Sequence, residues 1–197
     1  IAQYDAMIVY SPRCDPGLLA EARRLKTIAC HACPSEMLAA ATSRGICVTL
    51  VPSLWDTVAD MTLALMFAAA RNIAQADAAI RRGEWGQTDL KVRYSGCDVF
   101  GKTLGILGLG RIGAILARRV RGLDMRLLYY DAVRKPELEE ELGIDYRPLD
   151  DVLAEADIVS IHLPLTDETR GLVGQREFRR MKRDAILVNT ARGAILD

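Results

Sequence analysis

Short apolar runs alternate along this chain with segments of helical periodicity, which is the pattern of parallel strands joined by helices. In the first 52 residues, three apolar runs are separated by two such segments. Asp15 followed by Pro16 is a typical helix start, because a capping side chain and a proline both suit the first turn. The predicted strands are 6–10, 26–29 and 46–51, and the predicted helices are 16–25 and 35–44.

A long helix is predicted from Asp56 or Thr57 to about Ile73. Between residues 61 and 70 it is apolar on nearly every side, and a single core-facing stripe would leave the other side in water. It is therefore either a core helix or a helix that a second subunit partly covers, and the pattern leaves both possibilities open. The polar stretch 80–94 is predicted to be a surface connection.

Five further apolar runs follow and again alternate with helical segments, which predicts a second parallel sheet. The expected boundary between the sheets is 52–54, a Pro-Ser-Leu sequence, so that domains 1–53 and 54–197 are predicted. The strands are predicted at 104–107, 127–130, 144–146, 157–163 and 185–189, and helices at 137–142, 149–155 and 175–181, besides the helix that follows the glycines described next.

Three glycines at G-x-G-x-x-G spacing, Gly108, Gly110 and Gly113, follow the first of these runs, and the second run ends on Asp131. Strand, glycine turn, helix, strand and acid together form a dinucleotide-binding unit. Gly108 permits the tight turn, Gly110 lets the backbone approach a pyrophosphate, and Gly113 lets helix and strand pack closely. The helix N-terminus offers free amides to the phosphates, and Asp131 can accept hydrogen bonds from ribose hydroxyls. The alternative is an ordinary strand-to-helix turn without a ligand.

Ligands of an open parallel sheet lie beyond the carboxyl ends of its strands. That rule selects the glycine turn, Asp131, 162–164 and 190–193. Arg192 lies in the last of these stretches, and a planar guanidinium can hold a carboxylate through two parallel hydrogen bonds. It would also polarise an adjacent carbonyl as hydride arrives, whereas the simpler alternative is a solvated arginine.

Composition narrows the classes of partner. Lys+Arg and Asp+Glu both number 26, so no net charge attracts the chain to nucleic acid or to an anionic membrane, and no apolar run is long enough to span a bilayer. The odd number of cysteines, five, favours free thiols in a reducing compartment, and a cytoplasmic location is expected. Cys30 and Cys33 lack a second Cys/His pair to complete a zinc site, so no metal is expected.

The chain resembles the NAD-dependent D-isomer-specific 2-hydroxyacid dehydrogenases. The resemblance covers nearly the whole sequence, and its matching segments are Arg44-Gly45-Ile46, Thr57-Val58-Ala59-Asp60, residues 101–113, His162-Leu163-Pro164-Leu165-Thr166, and Asn189-Thr190-Ala191-Arg192-Gly193 with Asp197. It implies a Rossmann-type doubly wound parallel sheet that binds NAD, a partial flavodoxin-like α/β substrate domain, and dimerisation through the nucleotide domain. The implied reaction interconverts a 2-keto acid and a D-2-hydroxy acid by hydride transfer.

The same resemblance assigns roles to individual residues. Arg192 is expected to be catalytic and, with Ala32, to contact the substrate. NAD is expected rather than NADP because Asp131 repels a 2′-phosphate, although the neighbouring Arg134 and Lys135 can partly offset that repulsion. The expected cofactor-binding residues are Val58, Gly108, Gly110, Arg111, Ile112, Gly113, Asp131, His162, Leu163, Pro164, Thr169, Thr190, Ala191 and Arg192.

Two departures from the family's pattern affect the expected activity. The family's catalytic glutamate and histidine lie downstream of the arginine motif, beyond Asp197, and neither His31 nor His162 matches the histidine. The chain is therefore expected to be part of a longer protein and to have little turnover by itself. The family's Gly-x-Gly-x-Asp substrate loop aligns with 30–34, where Pro34 has no N–H to donate and His31 is either a side-chain donor or a solvated loop residue.

Two alternatives to that reaction remain from the sequence. Relatives such as the C-terminal-binding-protein corepressors use this fold as NAD-sensing interaction modules, in which the apolar helix and a partner groove would matter more than turnover. The unusual loop 30–34 also leaves open a dehydrogenase of an unusual acid such as phosphite or formate.

Overall fold

A computed structural model describes residues 1–9, 16–30, 33, 35–50, 54–86 and 89–197. The chain divides into two compact units, Ile1–Ser53 and Leu54–Asp197. Each unit contains its own sheet of parallel strands with helices between them, so the predicted α/β class is confirmed.

The first unit has a three-stranded parallel sheet in the order β1-β2-β3. Its first helix ends at Glu21, four residues before the predicted end, because 22–25 form turns in which the Leu25 N–H bonds to the Ala22 carbonyl. These turns bring Leu25 into the small core beside Leu19 and Met37. The elements are β1 Ala6–Val9, α1 Pro16–Glu21, β2 Thr27–Cys30, α2 Ser35–Ser43 and β3 Cys47–Leu50.

The second unit has five parallel strands in the order β6-β5-β4-β7-β8. The chain winds outward from the central strand in one direction and then in the other, and separate apolar cores pack on both faces. This is the predicted Rossmann-type doubly wound sheet. Its elements are α3 Trp55–Ala70, α4 Ile73–Arg81, α5 Leu90–Arg93, β4 Thr103–Leu107, α6 Arg111–Arg119, β5 Arg126–Tyr130, α7 Pro136–Leu142, β6 Ile144–Tyr146, α8 Leu149–Glu155, β7 Ile158–Ile161, α9 Gln175–Phe178 and β8 Ile186–Asn189.

The long helix α3 differs from its prediction in two ways. It ends at Ala70 rather than near residue 73, because Asn72 takes the left-handed conformation and a separate helix, α4, begins immediately afterwards. Only one stripe of α3 is buried within the chain, whereas Met61 and Leu65 on the outer side are 55% and 42% exposed. The described part of the second unit therefore leaves the outer side of this helix exposed. The predicted surface connection 80–94 differs as well, since it includes the end of α4 and the whole of α5.

Strand β7 and helix α9 are shorter than predicted. Asp157 lies just before β7, where its carboxylate accepts from the Thr103 N–H at 2.9 Å and from Lys182 at 2.8 Å. Residues 162–163 leave the sheet at the other end of the strand. After α9 the chain continues in turns rather than in a helix to residue 181.

None of the helices in the described parts of the chain has the length and apolar character that a membrane crossing requires.

Candidate cofactor site

The parallel strands of the second unit bring four sequence-predicted positions to one edge of the sheet. Gly108 follows β4, Asp131 follows β5, His162 follows β7 and Thr190 follows β8. Backbone hydrogen bonds join the first three, since the Gly108 N–H donates to Tyr130 O at 2.8 Å and the His162 N–H donates to Leu107 O at 2.7 Å. Strand order reverses between β4 and β7, which is where an open α/β sheet has its ligand crevice.

The three motif glycines have different surroundings. Gly108 has a φ of +98°, and a Cβ there would lie 2.9 Å from the backbone of His162 and Leu163. A Cβ on Gly113 would clash with the Gly108 carbonyl oxygen, so helix α6 can approach β4 only because this position is glycine. Gly110 is exposed and a Cβ there would meet nothing within 4 Å, which leaves the turn open to a ligand on that side.

Asp131 lies directly against the glycine turn. Its Oδ2 accepts from the Leu109 N–H at 2.9 Å and lies 3.0 Å from the ammonium of Lys135. The Lys135 ammonium also donates to Leu109 O at 2.8 Å. The carboxylate, the turn and the ammonium thus form one local network, in which Oδ1 has only a long contact of 3.5 Å with the Val133 N–H.

The two cations after Asp131 differ in what holds them. The Arg134 guanidinium makes three contacts of 2.8–3.2 Å with the Glu139 carboxylate, and this arginine holds the pKa of Glu139 down to about 2. Tyr129, whose pKa burial raises to about 12, donates to the same carboxylate at 2.7 Å and accepts from the Lys135 N–H. The Arg134 guanidinium is therefore held by Glu139 of α7, whereas the Lys135 ammonium contacts the glycine turn.

An open cleft lies beside Gly110 on the α6 side. Trp55, Arg111, Arg118 and Lys135 are among the residues that line it. The Arg111 guanidinium carbon lies 4.1 Å from the centre of the Trp55 ring, a cation–π contact. Arg118 is paired with Glu141 at 2.7 Å. Arg111 and Lys135, which lies 3.0 Å from Asp131, are the cations that line the cleft next to the turn.

His162 is a largely buried imidazole at the end of β7. Its Nε2 lies 2.8 Å from the Ser160 hydroxyl, and its buried Nδ1 has no hydrogen-bond partner among the described residues. Burial lowers the pKa of His162 to about 4, so the ring is neutral at pH 7. It is therefore suited to an apolar or hydrogen-bonding contact rather than to holding a phosphate by charge.

The segment after β8 is shaped by Asn189. The Asn189 side chain accepts from the Ala191 N–H at 3.0 Å and donates to Arg192 O at 2.9 Å. Arg192 is exposed, and its guanidinium bonds only to the neighbouring Ala191 carbonyl, at 2.8 Å. No carboxylate in the described residues pairs with it, so it is available to an external carboxylate.

The remaining sequence-predicted residues fall into three groups. Val58, one turn before Thr62 on α3, accepts from the Thr62 hydroxyl, and Thr62 contacts Thr190. Thr169 uses its hydroxyl to bind Pro164 O at 2.6 Å, which shapes the loop after β7. Leu163 is buried and Pro164 exposed in that loop, and Ile112 is half-buried at the start of α6.

The predicted substrate loop of the first unit lies partly outside the described residues, since Ala32, His31 and Pro34 are not among them. Cys30 is buried and Cys33 is half-buried, and neither forms a disulfide. The described residues contain no group of three or more His, Cys, Asp or Glu side chains that could hold a metal ion.

These features fit a dinucleotide along the sheet edge. The open side of Gly110 and the amides at the start of α6 suit a pyrophosphate, and Asp131 on one side suits a ribose. The other half of such a ligand would then lie toward the end of β8. That end has an available arginine, Arg192, for an acidic group.

Comparisons with known proteins agree with this arrangement. The family model for the D-isomer specific 2-hydroxyacid dehydrogenase, NAD binding domain, matches residues 63–197. The chain belongs to the D-isomer specific 2-hydroxyacid dehydrogenase family. The expected resemblance is therefore confirmed, and the second unit carries the family's domain for a nicotinamide dinucleotide.

Relatives within the family are similar across most of the chain. A glyoxylate reductase of Korarchaeum cryptofilum is 51% identical over 80% of this chain and 48% of its own length. A glyoxylate reductase of Thermococcus litoralis is 43% identical over 100% of this chain and 62% of its own length. The chain thus spans about half to three fifths of the length of these relatives.

Solved structures of family members superpose well. The TT0316 protein of Thermus thermophilus has a TM-score of 0.85 at 40% identity and covers 96% of this chain and 60% of its own. The apo-structure of D-lactate dehydrogenase from Escherichia coli has a TM-score of 0.83 at 31% identity, with coverages of 99% and 62%.

Sequence reasoning did not identify several residues that shape the site. Gly105 in β4 admits helix α8, because a Cβ there would lie 2.5 Å from the Val152 side chain. The sequence pattern identifies Asn189 only as part of a motif. It does not predict that Trp55 and Thr62 belong to the site. The Asn-x-x-Arg spacing offers a local signal for Asn189, whereas the partners of Trp55 and Thr62 are distant in sequence.

Proposed function

We propose that this chain is the cofactor-binding part of an oxidoreductase that interconverts a 2-keto acid and a D-2-hydroxy acid with NAD. The observation that supports it most is the single sheet edge that carries an open glycine turn, Asp131 on one side and an available Arg192 on the other. The family membership and the names of the relatives support the same reaction class, with glyoxylate among the substrates to be tested.

The roles follow from chemistry and position. The backbone at Gly108, Gly110, Arg111, Ile112 and Gly113 would hold the pyrophosphate, and Asp131 the adenosine ribose. The loop His162, Leu163 and Pro164, shaped by Thr169, would line the adenine-to-ribose side, while Thr190, Ala191 and Val58 would lie beside the nicotinamide. When bound, the dinucleotide supplies the hydride that is exchanged with the substrate.

Arg192 is proposed to bind the carboxylate of the acid through two parallel hydrogen bonds and to polarise the adjacent carbonyl. Its guanidinium has no competing carboxylate in the described part of the chain, and Asn189 holds the loop from which it projects. Ala32 remains proposed as a substrate contact on the basis of the resemblance alone.

The proposal is tested on the natural full-length protein. Oxidation of NADH is measured with glyoxylate, hydroxypyruvate and pyruvate, and activity with at least one of them is expected. Arg192→Met should lower kcat/KM by about 100-fold or more, because the substrate carboxylate then lacks its charged partner. The exposed Arg179→Met is the matched control and should leave kcat/KM unchanged. An inactive protein, or an active Arg192→Met variant, would contradict the proposal.

NAD is proposed as the preferred dinucleotide, since Asp131 disfavours a 2′-phosphate. Lys135 lies 3.0 Å from the carboxylate and would offset part of this repulsion, whereas Arg134 is bound to Glu139. The 197-residue chain should therefore bind NADH about tenfold more tightly than NADPH, a moderate preference.

Direct binding of both dinucleotides tests this preference. In Lys135→Met the NADH preference should rise by about tenfold, because a 2′-phosphate loses its nearby cation, and in Asp131→Asn the preference should fall. Arg134→Met is the matched control and should change it by less than about twofold, since that guanidinium is held by α7. Equal responses to the lysine and arginine changes would count against this assignment.

The outer side of α3 is proposed as a homodimer surface. Met61 and Leu65, one turn apart, are exposed there although the helix has the composition of a buried one. Exposed apolar patches of this kind mark protein contacts. We also propose a reducing, cytoplasmic location, which is supported by the lack of disulfide bonds among the four described cysteines.

A further inference from the structure

A chain of hydroxyl groups connects α3 to the end of β8. Thr62, which is 0% exposed, has its Oγ1 2.8 Å from Val58 O and 2.9 Å from Thr190 Oγ1. Thr62 and Thr190 are 128 residues apart in sequence. Within the part of the chain that the structure describes, Thr190 Oγ1 has no other hydrogen-bond partner.

The number of available hydrogens limits the direction of these hydrogen bonds. A hydroxyl has one hydrogen to donate and two lone pairs that accept, and either oxygen of the Thr62–Thr190 pair can be the donor. A backbone carbonyl can only accept, and Val58 O lies 2.8 Å from Thr62 Oγ1. When the Thr62 hydrogen is used on Val58 O, Thr190 donates its own hydrogen to Thr62 Oγ1, because neither residue has a second hydrogen to offer.

This direction determines what Thr190 can do for a ligand. With its hydrogen turned toward α3, the Thr190 oxygen faces other groups only as an acceptor. A ligand group that meets it must therefore be an N–H or O–H donor. Without Thr62 the hydroxyl would be free to rotate and could meet either a donor or an acceptor.

The position of Thr190 indicates which donor this is. Asp131 and the glycine turn occupy one half of the sheet edge, so the nicotinamide half of a dinucleotide would lie toward the end of β8, where Thr190 follows the last strand. The carboxamide of nicotinamide carries an NH₂ group. We propose that Thr62 is a positioning residue that orients Thr190 Oγ1 as an acceptor for the nicotinamide carboxamide, an inference that rests on the proposed function.

An analogue without the donor tests this proposal. In the 3-acetylpyridine analogue of NADH a methyl group replaces the carboxamide NH₂. Dissociation constants of NADH and the reduced analogue are measured by calorimetry on the 197-residue chain. The wild type should bind NADH about tenfold more tightly than the analogue, and in Thr62→Val this ratio should fall by about fivefold, because the Thr190 hydroxyl can then turn its hydrogen toward the acetyl oxygen.

Three further variants separate orientation from general damage. Thr62→Ser keeps the hydroxyl and should keep the wild-type ratio. Thr190→Val should lower the ratio as Thr62→Val does, and the double variant should lower it no further, since both act on one hydrogen bond. Thr42→Val is the matched control, because Thr42 Oγ1 makes the same bond to the carbonyl four residues earlier, Leu38 O at 2.8 Å, but belongs to the first unit.

The outcomes distinguish this inference from the proposed function. If the wild type binds neither dinucleotide, the proposed function fails and this inference fails with it. If NADH binds but the ratio is near one in the wild type, or is unchanged in both Thr62→Val and Thr190→Val, only the role of Thr62 is overturned. If Thr62→Val does not fold, the other two variants provide the test. A ratio that is unchanged in Thr190→Val, or lowered in Thr62→Ser, would then overturn the role of Thr62.

Discussion

Gly108 and Gly110 occupy equivalent places in the sequence motif but are glycine for different physical reasons. Gly108 is needed by the fold, because its φ is positive and the backbone of His162 and Leu163 fills the space of a side chain. Gly110 is not needed by the fold, since open space lies where its Cβ would be. Its absence of a side chain matters only to something that approaches from outside.

Alanine at these two positions should therefore have opposite effects. Gly108→Ala should lower the free energy of unfolding by at least about 2 kcal/mol, from left-handed strain and the backbone clash. Gly110→Ala should change stability by less than about 0.5 kcal/mol but weaken NADH binding by about tenfold or more, because the methyl group displaces the pyrophosphate. Urea denaturation and calorimetry measure the two effects. A Gly110→Ala protein with normal NADH affinity would contradict the assigned cleft.

His162 links stability to pH at the same residue scale. Its pKa falls from an ordinary 6.5 to about 4 in the folded chain, so the unfolded state binds the proton first as the pH decreases. The contribution of this group to stability is therefore lost from about pH 6.5 downward and levels off below about pH 4.

The comparison of wild type with His162→Gln isolates this titration. Between pH 7 and pH 5 the wild type should lose about 2 kcal/mol of unfolding free energy more than the variant, since glutamine stays neutral and can still bond to Ser160. Urea denaturation at both pH values gives the two losses. Parallel losses in the two proteins would show that the imidazole is not desolvated.

At the scale of elements, helix α3 has one side that is buried within the chain and one side that is exposed. Its inner stripe, with Ala59, Thr62 and Met66, packs within the second unit against α6 and β8 and reaches the end of β8 through Thr62. Its outer side carries Met61 and Leu65 in water. The sequence predicts the apolar character of the whole helix, but not which residues the chain itself buries, because that depends on where β4, α6 and β8 lie.

Charge on the outer side should separate subunits. Leu65→Lys should convert a dimer to a monomer in sedimentation experiments, because a lysine at a buried apolar contact would lose its hydration without a partner. Val133→Lys is the matched control, since Val133 is also exposed, at 68%, but lies in the loop after β5. A monomeric wild type at tens of micromolar, or a dimeric Leu65→Lys variant, would argue against this surface.

At the scale of the whole molecule, the site is a property of one sheet edge rather than of one motif. Its parts come from four separate stretches of sequence, and only the parallel register of β4, β5, β7 and β8 brings them together. The opposite edge, with Asp157 paired to Lys182, has its own polar contacts and is unconnected to this site.

Amide hydrogen exchange should distinguish the edge of the sheet that binds the ligand from the opposite edge. On addition of saturating NADH, amide exchange should slow in 108–113, 131–135, 162–164 and 190–192, because the ligand stabilises the state that binds it. Exchange in 182–186, at the opposite edge, should stay the same and serves as the internal control. Mass spectrometry of peptides resolves these segments. Protection confined to the glycine turn would mean that the ligand does not extend along the edge.

The sequence alone determined the order of the strands and of the helices other than α4 and α5, the glycine turn, and the acid after the second strand of its sheet. These features depend on periodicity and on residues within about thirty positions of one another, where backbone geometry is decided locally. The resemblance added the arginine motif. Element ends were less well determined, as α1 and α3 illustrate, because turns and packing end a helix before its apolar pattern stops.

Only the tertiary structure decided which side chains face each other. Lys135 rather than Arg134 contacts Asp131, Trp55 lies under Arg111, and Thr62 contacts Thr190 across 128 residues of sequence. Such pairs depend on the distances at which whole elements pack, and a linear pattern carries no record of those distances. The orientation of the Thr190 hydroxyl likewise depends on tertiary packing, because only this packing brings Thr190 next to Thr62 and Val58 O.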